Sequence, residues 1–168
     1  MSANIALPQS FYKRCVVDVV QDLLGKKLVF GQYSGIINET EAYRGADDPA
    51  SHAFKGKTKR TAIMFGPAGY VYVYLIYGMY HCLNIVTGHD GEASAVLIRG
   101  LQLPDLLLNG PGKLCRSLGI TKEQNGLSIF DNQEILITDG IESPKFIATP
   151  RIGIKVGTDK LWRFVVAP

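Results

Sequence analysis

The sequence predicts an α+β fold, a single compact domain over residues 1–168 built on a curved, mainly antiparallel β-sheet with a protruding β-hairpin and a few flanking helices. Three observations predict it. Strand-like segments outnumber helical ones, and short turn signals separate several of them, the pattern of sequential hairpins. Residues 70–76 alternate Tyr with Val or Leu, which is the period of a strand. The chain has 168 residues and 46% hydrophobic content, enough for one core, since most domains run to ~100–200 residues.

The elements follow in order. Ser10 reads as a helix cap, and Val16, Val17, Val20, Leu23 and Leu24 fall near helical spacing until Gly25 stops the run, which gives a first helix of about a dozen residues. Strands are expected over 27–30 and 34–43, joined by a turn at Gln32 and Tyr33. Residues 44–61 are polar, carry Asp47, Asp48, Pro49, His52 and several basic residues, and form a loop long enough to be functional or mobile. Strands over 69–76 and 80–86 make a hairpin with Tyr77, Gly78, Met79 and Tyr80 near its tip. A strand over 93–99, a short helix over 113–118, and strands over 134–138, 151–154 and 163–166 complete the set.

Composition removes several function classes. The net charge of +3 and pI near 8.7 permit an anionic partner without requiring one. The three cysteines, Cys15, Cys82 and Cys115, are odd in number, widely spaced and without a CxxC pair. Free buried thiols are expected, and neither a disulfide framework nor a zinc cage. The segment 1–8 lacks a basic start followed by an apolar run, and no stretch has ~18 consecutive apolar residues. A cytoplasmic protein with no membrane association is the expectation. The zinc-deaminase pattern HxE with PCxxC is absent, and His81-Cys82, whose side chains leave a strand on opposite faces, is a poor ligand pair. No metal site is expected.

Four groups of residues carry possible chemistry. In Glu39-Thr40-Glu41-Ala42-Tyr43, residues two apart on a strand share a face, which places the two carboxylate stems roughly 7 Å apart. Strands disfavour Glu, so the pair is either a solvated outer face or a site where one carboxylate activates water at a sugar carbon. An inverting glycan hydrolase needs a similar spacing, and the spacing does not separate these readings. Tyr70, Tyr72, Tyr74, Tyr77 and Tyr80 crowd one hairpin. Such a row is a structural stripe or a platform on which flat bases stack, while exposed Tyr77, Met79 and Tyr80 at a tip could enter a base stack as wedges. Lys55, Lys57, Lys59 and Arg60 follow His52; they are a solvated loop or a grip on phosphates. Gly110-Pro111-Gly112-Lys113 fails the phosphate-loop pattern and reads as a turn into a helix, whose first amides and Lys113 could approach a phosphate.

Taken together these segments resemble the 3-methyladenine (alkyladenine) DNA glycosylase family. The resemblance rests on Glu39-Thr40-Glu41-Ala42-Tyr43, on His52 nine residues later, and on Met64-Phe65-Gly66-Pro67. Then come Tyr72-Val73-Tyr74-Leu75-Ile76-Tyr77-Gly78-Met79-Tyr80, Cys82-Leu83-Asn84, Val96-Leu97-Ile98-Arg99, Gly110-Pro111-Gly112-Lys113-Leu114 and Pro150-Arg151-Ile152-Gly153-Ile154. They stand in family order over almost the whole chain, and YxYxIYGMY with an upstream ETEAY is highly specific.

The resemblance implies a monomeric, monofunctional enzyme of base excision repair without metal or organic cofactor, acting on double-stranded DNA that contains a damaged purine. It implies that Glu41 is the general base and Arg99 its partner. Tyr43 and Tyr74 would sandwich the extruded base, His52 would contact its edge, and Asn84 would crowd the amino group of normal guanine. Tyr77 would be the wedge in the minor groove, with Met79 and Tyr80 bracing neighbouring pairs. Lys55, Lys57, Lys59, Arg60 and Lys113 remain candidates for the DNA backbone. One departure is visible: residues 100–108 form a shorter stretch than the family usually carries, so a peripheral helix is expected to be missing.

Overall fold

Apolar alternation along the chain is resolved into one sheet with a different core on each face. The computed structural model describes residues 5–45 and 47–167; residues 1–4, part of the N-terminal segment read above, lie outside the described residues. The strands are β1 (Lys27–Phe30), β2 (Tyr33–Tyr43), β3 (Val71–Ile76), β4 (Tyr80–Thr87), β5 (Ser94–Gln102), β6 (Leu107–Asn109), β7 (Ile135–Thr138), β8 (Phe146–Thr149) and β9 (Arg163–Val166). They run in the order β3-β4-β5-β2-β1-β7, with β6 on the end of β5 and a β9-β8 pair on β2. Every pairing is antiparallel. The result is a single compact domain on a curled antiparallel sheet with few helices, the predicted α+β class.

On one face, helix α2 (Val16–Asp22) buries Val16, Val19 and Val20, which pack with Ile37, Val96, Ile98 and Leu101 of the sheet. On the other, a smaller cluster of Ala53, Met64, Tyr72, Val86, Ala93 and Ala95 sits under the loop that links β2 to β3. Strand β3 shows the partition: Val71 and Val73 enter the first core, and Tyr72 enters the second with Tyr74 against it. Successive side chains leave a strand on opposite faces, so the Tyr/Val alternation supplies both cores at once. Burial of a Val or Leu side chain is worth ~1.5–3 kcal/mol, and the larger cluster therefore carries most of the stability.

Five local expectations are corrected. The single first helix is two pieces, α1 (Gln9–Tyr12) and α2, and Ser10 lies inside α1, whose cap is Pro8. The break falls where Arg14 turns back to donate from Nε to the Phe11 carbonyl at 2.7 Å and to lie over the Phe11 ring. The β1–β2 turn is Gly31-Gln32, since Phe30 pairs with Tyr33; Gly31 has φ +58°, a conformation open to glycine at little cost. Residues 151–154 are a turn, and the strand of this region is β8, just upstream. Arg151 is drawn inward by Asp48 and cannot also alternate in a sheet. Strand β6 is also unanticipated: residues 100–109 close as a β5–β6 hairpin with no helix. Finally, Cys82 and Cys115 are free and buried as expected, whereas Cys15, at the start of α2, is exposed. The short third helix is α3 (Pro111–Leu118), opened by a proline at its first position.

Candidate active site

The sheet register assembles the site. Tyr72 pairs with Asn84, Asn84 with Leu97, and Leu97 with Glu41, so these four side chains form one row across β3, β4, β5 and β2. Tyr74 pairs with Cys82 in the adjacent row. Tyr43 and Arg99 lie two residues beyond Glu41 and Leu97 along their strands and share the same face. All of these except Glu41 line a cavity of about 720 Å³, whose lining also includes His52, Arg60 and Lys113. The hairpin tip closes one end with Tyr77 and Tyr80, and Ile152–Ile154 closes another.

Glu41 sits one layer below the cavity surface, with its side chain 0% exposed. Its Oε1 accepts from the Tyr43 hydroxyl at 2.8 Å and lies 3.5 Å from Arg99 Nη1. Its Oε2 accepts from the Ile152 backbone amide at 2.7 Å. A buried carboxylate is tolerable because each charge is met by donors. A carboxylate offers about four lone-pair positions, so the three contacts leave one acceptor position unused. Burial, then the neighbouring Glu41 charge, raise the Tyr43 phenol well above its usual range, and it stays a donor at neutral pH. Burial likewise raises Tyr74.

The aromatic residues meet closely. His52 packs edge-on to Tyr74 with ring centroids 4.4 Å apart, and its Nδ1 lies 3.5 Å from the Tyr72 hydroxyl. Burial of the ring against these groups, followed by the Arg60 charge, lowers the His52 pKa below its ordinary value. Asn84 donates from Nδ2 to the carbonyls of Tyr72 and Cys82, both at 3.3 Å, which leaves its oxygen as the remaining acceptor. Among the described residues no group of three or more His, Cys, Asp or Glu could hold a metal ion, and no helix is long and apolar enough to cross a membrane.

The remaining sequence candidates separate into two places. Tyr77 is 88% and Met79 65% exposed at the hairpin tip. Tyr77 and Gly78 have φ of +53° and +67°, the pair of left-handed residues that defines a type I′ turn. Lys55, Lys57 and Lys59 are exposed on the loop and do not line the cavity. Arg60, grouped with them by sequence and also exposed, lines the cavity, with its guanidinium 5.2 Å from the centre of the Tyr74 ring. Lys113 is at the cavity mouth and donates to Asn109 Oδ1 at 3.0 Å.

Glu39, one of the paired carboxylates of the sequence, and Arg151 have supporting contacts that sequence reasoning did not reach. Glu39 accepts from Arg163 Nε at 2.7 Å and from Arg99 Nε at 3.3 Å and does not line the cavity. Arg151 forms a bidentate pair with Asp48 at 2.5 and 2.8 Å, both side chains 0% exposed. Its guanidinium also lies over the rings of Tyr43 and Trp162, at 4.9 and 5.3 Å. A contact 103 residues apart in sequence leaves no local spacing signal. Only the Pro150–Ile154 motif pointed to the region.

The cavity walled by phenol rings lies over a buried carboxylate, on a sheet that projects an aromatic hairpin, and residues 10–168 match the family model described as methylpurine-DNA glycosylase (MPG). The chain belongs to that family and is a DNA glycosylase, a hydrolase of N-glycosyl bonds. A protein of Sodalis glossinidius named "Putative 3-methyladenine DNA glycosylase" is 59% identical over 167 residues, covering 98% of each chain. Proteins of the same name from Ehrlichia ruminantium (strain Welgevonden) and Wolbachia pipientis wMel are 54% and 52% identical, covering 95% and 98% of this chain and 88% and 93% of their own length.

Proposed function

We propose that this protein excises alkylated purines of the 3-methyladenine type from double-stranded DNA by rotating the damaged nucleotide into the cavity and hydrolysing its N-glycosidic bond with a Glu41-activated water. The observation that carries the reading is the placement of the Glu41 carboxylate directly under Tyr43, on the sheet face that holds Tyr74 and Arg99. A base within a duplex is out of reach, and extrusion costs a few kcal/mol, least for damaged or mispaired bases. Tyr77, with Met79 and Tyr80, fills the gap left in the stack. Tyr43 and Tyr74 offer electron-rich faces to a purine that alkylation has made positive, His52 meets its edge, and Asn84 crowds the amino group of normal guanine. Lys55, Lys57, Lys59 and Lys113 hold phosphates.

In the reaction the C1′–N bond breaks and its electron pair goes to the base, neutralising the positive ring. The oxygen of a water held between Glu41 and Arg99 bonds to C1′, and the water proton passes to Glu41. An alkylated purine needs no acid to leave. Hypoxanthine and ethenoadenine, which are neutral, are further candidate substrates and would need one.

Glu41→Gln tests the assignment. Base release from methylated duplex DNA is expected to fall by about 10²–10⁴-fold while binding to the same DNA persists, since that is what a positioned base contributes and the amide cannot take the proton. Release at the wild-type rate would defeat it.

A further inference from the structure

We infer that Glu39 and Arg163 are positioning residues that set the place of Arg99, and through it the environment of the Glu41 carboxylate; the inference rests on the proposed role of Glu41. Two features of the fold carry it. The first is the pairing of β2 with β5. Ile37 faces Leu101 and Thr40 faces Ile98, but between them Glu39 faces Gly100. Two opposed irregularities therefore cancel: Asn38 is extra on β2, and Arg99 is extra on β5. Bulges re-aim a side chain beside a site without disturbing the flanking register. Here the extra residue of β5 is the one whose guanidinium reaches both carboxylates. Gly100 permits this, because a side chain there would collide with Asn38 Oδ1 and come within 3.0 Å of Glu39 Cβ.

The second feature is the order of charges. Arg163, Glu39, Arg99 and Glu41 form a chain of alternating sign with contacts of 2.7, 3.3 and 3.5 Å. Arg163 is fixed at its far end by Thr149 Oγ1 at 3.2 Å, on β8. The Glu39 and Arg99 side chains are 15% and 13% exposed, so water screens them weakly and each partner feels the next. Glu39 thus divides the attention of Arg99, holding its Nε while Nη1 faces Glu41. It keeps Arg99 from collapsing wholly onto the carboxylate that must accept a proton. The other groups around Glu41 are Tyr43 on its own strand (its ring backed by Arg151), Cys82 on β4, the Ile152 amide from the loop after β8, and Arg163 opposite it on β9.

The test is single-turnover base release from methylated duplex DNA against pH, for Glu39→Gln and Arg163→Gln beside wild type. Glu39→Gln removes a negative neighbour and gives Arg99 to Glu41 alone, so the acid limb of the profile is expected to move to lower pH by about 0.5–1 unit, with a plateau rate roughly tenfold lower and unchanged half-saturating DNA. Arg163→Gln leaves Glu39 to draw Arg99 away, and its acid limb is expected to move to higher pH. Opposite displacements are a signature that general loss of stability cannot produce. Limbs that stay in place, or move in the same direction, would overturn the inference. Should Glu39→Gln fail to fold, as thermal melting would show, the sign of the Arg163→Gln shift decides, with Arg163→Lys expected to restore the wild-type limb. The Glu41→Gln control keeps the two readings apart. If it is inactive while the Glu39 and Arg163 variants match wild type, only this inference fails.

Discussion

Tyr43 and Tyr77 are the same residue type at opposite ends of one cavity, held in opposite ways. The Tyr43 ring is backed by the Arg151 guanidinium, which is clamped to Asp48, and its hydroxyl is tied to Glu41. Tyr77 projects from a turn, 88% exposed, with a left-handed backbone. The left-handed region costs a residue with a side chain roughly 1–2 kcal/mol. The fold spends stability at the tip to present a ring, and concentrates buried charge at the wall to fix one. In the proposed reading the ring braced from behind receives the base, and the ring left free enters the duplex.

The largest expected effect lies at the clamp. Asp48→Ala leaves the Arg151 charge buried without its partner, and breaking a buried pair this way costs about 3–5 kcal/mol. Denaturant unfolding would measure it. Arg151 Nε is already without a hydrogen-bond partner, so the structure has little spare capacity to compensate. The double change Asp48→Leu with Arg151→Met is expected to recover much of that stability, as apolar replacements of buried pairs often do, yet to leave Tyr43 without its cationic backing and base release slowed. A loss below about 1 kcal/mol for Asp48→Ala, the level of an exposed ion pair, would erase the contrast with the tip.

The tip should respond in reverse. Asn tolerates the left-handed conformation better than Tyr, so Tyr77→Asn is expected to leave thermal stability unchanged or slightly raised. Base release should fall by about 5- to 150-fold, the range of one lost stacking contact of ~1–3 kcal/mol. Parallel loss of melting temperature and activity would show that Tyr77 supports the fold.

What the sequence made legible follows the range of each interaction. The alternation from Tyr70 to Ile76 and the Glu39/Glu41/Tyr43 spacing are properties of neighbouring residues, and strand geometry converts them directly into faces. The hairpin tip was visible for the same reason. The Arg151 turn was read as a strand because its local pattern is strand-like, while the partner that bends it, Asp48, is distant in sequence. Arg99 could be placed near Glu41 only through the family resemblance. The paired bulges that aim it depend on register across two strands. Arg60 illustrates the limit: within a run of basic residues nothing marks the one whose guanidinium lies over Tyr74.

Arg60 and His52 stand at the rim between the braced wall and the free tip, and they supply the smallest expected effect. Burial against the aromatic residues, then the Arg60 charge, lower the His52 pKa. In the unfolded chain the ring takes up its proton near pH 6.5. Because the folded value is lower, the unfolded state binds the proton first as pH falls. The stability tied to neutral His52 is therefore complete above that range and is lost as pH falls through about 6.5 toward the folded value. An NMR titration of the His52 ring is expected to give a midpoint below 6.5, and Arg60→Ala should raise that midpoint without restoring it fully, since burial is the larger cause. A midpoint unmoved by Arg60→Ala would mean that the Arg60 guanidinium points to solvent, away from Tyr74, and would return it to the phosphate-facing loop with Lys55, Lys57 and Lys59.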